Sequence, residues 1–153
     1  MQLMNKPFSF DKYLATHESL TYTNVGVSML PLLRQGKDLF TVKRKGSERC
    51  KAGDVVLYRR PPNHYVLHRI IKVLPDSYVI LGDNSITKEY GIRDEDILGV
   101  MTSFVRNGKE HKVEEQGYRL YSFIWMRTIG LRILIKKIKS RLVNYIRRVL
   151  HEK

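Results

Sequence analysis

Short strand-like runs recur through the first two thirds of the chain, separated by turn formers, and a helical repeat takes over at the end. The runs fall at residues 20–24, 39–43, 54–60, 64–74, 77–81, 97–106 and 109–113. Pro61-Pro62-Asn63, Pro75-Asp76 and Gly82-Asp83-Asn84 punctuate them, and Asn107-Gly108 is the two-residue signal of a tight hairpin. Ahead of the strands, Ser9 is placed to cap a short helix over Phe10–Thr16. Short strands at regular turns predict a mainly β fold, one coiled sheet or partial barrel. There is neither an internal repeat nor a low-complexity linker.

The last stretch follows a different period. Leu131, Leu134, Ile135, Ile138, Leu142, Tyr145, Ile146 and Val149 recur at three- and four-residue spacing. Arg132, Lys136, Lys137, Lys139, Arg141, Arg147 and Arg148 fill the other faces. Arg127, Arg132 and the Lys136-Lys137 pair interrupt every apolar run well short of the ~18 residues a membrane span needs. A basic amphipathic helix is therefore expected, and the chain divides into a β domain over 1–117 and a helical tail over 118–153.

Charge sharpens that division. The net charge is +13, and from Tyr118 onward there are ten Lys or Arg against one acid, Glu152, leaving 18 basic and 14 acidic residues before it. With Phe123, Ile124, Trp125 and Met126 at its start, the tail suits an anionic membrane surface, where each cation contributes on the order of 1 kcal/mol. Packing of the stripe on the domain or on a partner helix is the competing use. Nucleic acid, through phosphate contacts, is the least favoured partner. The opening MQLMNKPFSFDKYLATHESL carries no long apolar segment, so neither a secretory signal nor an N-terminal anchor is expected. The predicted location is cytoplasmic, peripheral at the inner membrane surface. Cys50 is the lone cysteine and the histidines at 17, 64, 68, 111 and 151 are scattered, so no disulfide, metal or cofactor is expected.

Three segments carry candidate chemistry. Ser28 interrupts the apolar run of NVGVSMLPLLRQGKD. In HYVLHRII, strand alternation puts His68 on one face with Val66 and Ile70. LGDNS ends a strand with the Asp83 carboxylate in a tight turn. Singly these are a backbone-bonded hydroxyl, a satisfied core histidine and an Asx-turn. Together they supply a nucleophile, a base and an orienting acid.

The order and flanks of these segments give the pattern a family. GVSMLPLLRQGKD, KAGDVVLYRR, YVLHRIIKV, YVILGDNS and ILGVM resemble, one after another, the boxes of the signal peptidase I family of serine endopeptidases, over roughly residues 20–105. The resemblance implies the coiled β fold of those enzymes and of the self-cleaving repressors, with Ser28 as nucleophile and Gly53-Asp54-Val55-Val56 as a family strand. Bacterial members carry a lysine base before an arginine. His68 before Arg69 matches instead the endoplasmic-reticulum, archaeal and spore-former type, which pairs serine with histidine. In that type one acid lies in the Gly-Asp-Asn box and a second six residues later, here Asp83 and Glu89, and either could orient His68. Met29, Leu30 and Pro31 are placed at the substrate groove by the same resemblance. Gly26-Val27 stand where most members have serine and glycine, so a side-chain oxyanion donor is missing.

The implied activity is removal of a leader or signal segment from a peptide or preprotein substrate, without a cofactor. Two other functions fit the same residues: a peptidase-like domain that binds peptides with weak or no turnover, and a basic protein of a membrane surface or nucleic acid.

Overall fold

The structure, a computed structural model, describes residues 9–62 and 64–151. The first eight residues of the expected 1–117 unit and the last two of the tail, Glu152 among them, lie outside the described residues. Helix α1 (Phe10–Thr16) opens on the Ser9 hydroxyl, which accepts the Lys12 N–H at 3.5 Å. Eight strands follow: β1 (Ser19–Thr23), β2 (Leu39–Arg44), β3 (Val55–Arg60), β4 (His64–Val73), β5 (Tyr78–Leu81), β6 (Glu89–Ile92), β7 (Ile97–Arg106) and β8 (Lys109–Lys112). Helices α2 (Gln116–Arg127) and α3 (Ile129–His151) close the chain.

All strand pairs are antiparallel, in the order β1-β2-β7-β3-β4-β5-β6, with β8 added on β7. Register shifts at Thr41/Val42, Leu57/Tyr58, Ile70/Lys72 and Tyr78/Ile80 mark bulges, which increase local twist and bend the open sheet. The central strand β3 is buried on both faces, so it reads as the unbroken apolar run VVLY. Val55 and Leu57 join Met29, Leu33, Phe40 and Val42 in one core, while Val56 and Tyr58 join Ile70, Tyr78 and Ile80 in a second.

The predicted hairpin is present at Asn107-Gly108, both with positive φ (52° and 75°), as a type I′ turn between β7 and β8 requires. Strand β6 was not expected from the sequence. The tail is two helices rather than one: α2 ends where the Thr128 N–H and hydroxyl both donate to the Ile124 carbonyl. Tyr118 and Tyr121 of α2 pack against the first core, so this helix lies on the sheet. Among the described residues no helix is long and apolar enough to cross a membrane.

Candidate active site

Ser28 sits in the loop between β1 and β2, and that loop is clamped from below by one carboxylate. Asp38 is fully buried, accepts from the Arg34 backbone N–H at 2.8 Å and from the Arg34 guanidinium at 2.6–3.1 Å, and faces Arg106 at 3.3 Å. The Arg34 hydrogen bonds, opposed by burial and joined by Arg106, hold its carboxyl down at about 2. Arg106 also donates to the carbonyls of Pro31 and Leu32. Ser28 itself is half-buried within a turn in which the Leu30 N–H donates to the Val27 carbonyl at 3.2 Å.

The Ser28 turn is stapled to the loop after β5. The Asn84 N–H donates to the Ser28 carbonyl at 2.7 Å, and the Asn84 side-chain amide donates to the Val27 carbonyl at 3.0 Å. Gly82 makes this approach sterically possible. A Cβ there would lie 2.8 Å from the Ser28 carbonyl oxygen, 2.9 Å from His68 Nε2 and 2.6 Å from Ser85 Oγ, all closer than packing allows. The nucleophile candidate's backbone, the imidazole and a second hydroxyl thus converge on one glycine.

His68 is 7% exposed on β4, and its other nitrogen is held from two sides. Nδ1 lies 3.2 Å from Glu89 Oε1 and 3.3 Å from the Tyr58 hydroxyl. Burial lowers the imidazole pKa below its usual value, and the Glu89 charge offsets only part of that. The ring is therefore neutral at pH 7. An Nδ1–H donated to Glu89 leaves Nε2, on the Gly82 side, as a proton acceptor. Glu89 is fixed in turn: burial opposes its charge, but the Arg60 fork, Nε to Oε2 at 3.0 Å and NH2 to Oε1 at 2.5 Å, holds its pKa down.

Asp83 goes elsewhere. Its two oxygens accept from Arg69 Nε and NH2, each at 2.8 Å, and the Tyr121 hydroxyl adds a bond at 2.9 Å. Arg69 is 1% exposed, and its remaining nitrogen donates to the Gly53 carbonyl, the Ser122 hydroxyl and the Tyr118 hydroxyl. Of the two acids left open by the sequence, the structure puts Glu89 on the imidazole and Asp83 on the arginine. The backbone of Asp83 is gripped as well: its carbonyl accepts from Trp125 Nε1 at 3.2 Å and Arg132 NH1 at 2.8 Å, while Lys136 donates to the Asn84 carbonyl and side-chain oxygens.

Met29, expected at the substrate groove, is instead a core residue at 1% exposure. Its neighbours Leu30 and Pro31 do line open space, a cavity of about 330 Å³ shared with Asp83, Trp125 and Arg132. A larger cavity of about 650 Å³ opens over His68 and Glu89, bordered by Arg60, Ser85 and Thr87. Sequence reasoning missed Tyr58, Arg60 and the α2 side chains. Tyr58 was within reach of pattern: Val56 pairs with His68, and two residues along the same strand is the same face. Among the described residues no group of three or more His, Cys, Asp or Glu could hold a metal ion.

Compared with family models, with curated proteins and with solved structures, the chain matches none. The fold is a mainly antiparallel open β-sheet with one short N-terminal helix and two C-terminal helices. Its candidate site is a carboxylate–imidazole pair set against a serine turn.

Proposed function

We propose that the chain is a serine endopeptidase of the Ser–His type that resembles signal peptidase I, and that it cuts a leader or signal segment from a peptide precursor. The observation that carries this is the imidazole of His68, held at Nδ1 by Glu89 and with Nε2 against Gly82, where the Ser28 carbonyl oxygen also packs. In the reaction Ser28 Oγ attacks the scissile carbonyl carbon while His68 Nε2 takes its proton. The backbone N–H of Ser28 donates to the oxyanion, which offsets part of the missing side-chain donor at Gly26-Val27. His68 then returns the proton to the leaving amine as the C–N bond breaks. Water, giving a proton to the same nitrogen, attacks the acyl carbon, and as the bond to Ser28 Oγ breaks His68 returns that proton to Oγ, which frees the acid product. Glu89 remains ionised throughout and stabilises the imidazolium. The cavities beside Leu30-Pro31 and over His68, which meet at Asn84, leave room for peptide near the serine turn.

The test is cleavage of candidate precursors with small residues before the cut, by wild type, Ser28→Ala and His68→Ala. Each substitution is expected to lower turnover by about 10⁴ to 10⁶ with circular dichroism unchanged. Full cleavage by either variant overturns the proposal.

A further inference from the structure

Helix α3 carries its apolar residues on a face that the body does not use. Arg132 and Lys136 point at the Asp83–Asn84 loop and are half-buried there. Leu131, Leu134, Ile138, Leu142 and Tyr145 follow the three- and four-residue spacing of a different face, and each is more than half exposed. From Lys137 to Leu150 every described side chain is exposed. Leu120, Phe123 and Ile124 of α2 are likewise close to or more than half exposed. An apolar stripe of this length left in water is a docking face.

The charges beside it select the occupant. Residues 116–151 contain nine Lys or Arg and no acid. A second copy of the helix would bring cations against cations, with no carboxylate on either helix to pair them. Nucleic acid would use the cations and leave the leucines and isoleucines unburied. An anionic bilayer uses both: acyl chains take the stripe while lipid phosphates meet Lys137, Lys139, Arg141 and Arg148 along its flanks. We infer that α3 lies in the interface of an anionic membrane, apolar stripe down, and holds the β-sheet against that surface through Arg132 and Lys136. This attachment holds whether or not Ser28 is a nucleophile.

Co-sedimentation of the full chain with vesicles of phosphatidylglycerol and phosphatidylcholine tests it. Two variants accompany wild type: Ile138→Asn with Leu142→Asn in the stripe, and Lys137→Gln, Lys139→Gln and Arg141→Gln on the flanks. All five positions are exposed, so thermal melting of the body should not move. Wild type is expected to pellet with the anionic vesicles, to stay in solution with pure phosphatidylcholine, and to be released as salt rises. Loss of three cations should weaken partitioning by about 100-fold, and the stripe variant should lose it at least as far. The inference is overturned if wild type ignores the anionic vesicles. It is equally overturned if the stripe variant binds them as wild type does, if wild type forms a dimer that the stripe variant abolishes while neither binds lipid, or if the chain binds only duplex DNA.

Discussion

Two carboxylates six residues apart, Asp83 and Glu89, have opposite surroundings, and the contrast separates an acid enclosed by the fold from one that faces an imidazole and open space. Asp83 is sealed in: Arg69 takes both oxygens, Tyr121 adds a third bond, and α2 covers the pair from above. Glu89 stands at the edge of the 650 Å³ cavity, with Arg60 on one side and His68 on the other. An acid that is matched on every side cannot respond to a proton moving nearby. One shared between a fixed cation and an imidazole can.

The sharpest way to break this contrast is to neutralise the two acids in turn. Glu89→Gln removes the charge that stabilises an imidazolium and the acceptor that sets its tautomer, so turnover should fall by about 10⁴-fold. Its folding stability should change by less than about 1 kcal/mol, since the pair with Arg60 is partly exposed. Asp83→Asn should do the reverse, costing about 3–5 kcal/mol in urea denaturation because Arg69 is left as an uncompensated buried charge. Turnover per folded molecule should drop far less than in Glu89→Gln. If the two variants lose turnover equally, the division of labour does not exist.

A smaller effect sharpens the contrast through pH. In the proposed reaction cleavage needs neutral His68, so the rate is expected to rise with pH as that group loses its proton. Burial sets the midpoint below the ordinary histidine value of 6.5, and Glu89 keeps it from falling further. Removing the Glu89 charge in Glu89→Gln should therefore move the acid limb of kcat/KM to lower pH. Asp83→Asn, whose charge acts on His68 only weakly and from a distance, should move it less. A limb displaced upward in Glu89→Gln would show that the carboxylate does not face the imidazole.

Much of this was legible in the chain because it depends on neighbours in sequence. Helix α1 begins at its Ser9 cap, and the Asn107-Gly108 turn needs only two residues able to take positive φ. His68 was placed on the correct face by alternation alone. Strand β6 was not legible, since Glu89-Tyr90-Gly91-Ile92 shows no alternation, Gly91 has φ +76°, and the strand exists because β5 offers it an edge. Nor could the pattern choose between Asp83 and Glu89. The choice rests on Arg69 and Tyr121, which lie 14 and 38 residues from Asp83 and meet it only after the sheet has folded. The tail's period predicted helix but not its end at Thr128, where neither proline nor a C-terminal glycine marks the stop.

The grip of Trp125, Arg132 and Lys136 on the Asp83–Asn84 loop also sets an order of events during synthesis. The serine turn, the imidazole and both acids are all translated before residue 90, but the side chains that fasten their loop come some forty residues later. The last strand, β8, ends at Lys112, so at about 5–20 residues per second a growing chain spends about 1 to 5 s with every strand synthesised and the fastening incomplete. Throughout that interval Arg69 and Asp83 lack Tyr118, Tyr121 and Ser122 as partners. The residues of the proposed site are thus synthesised before the side chains that fasten their loop, and two of those side chains, Arg132 and Lys136, arrive as part of the cationic helix itself.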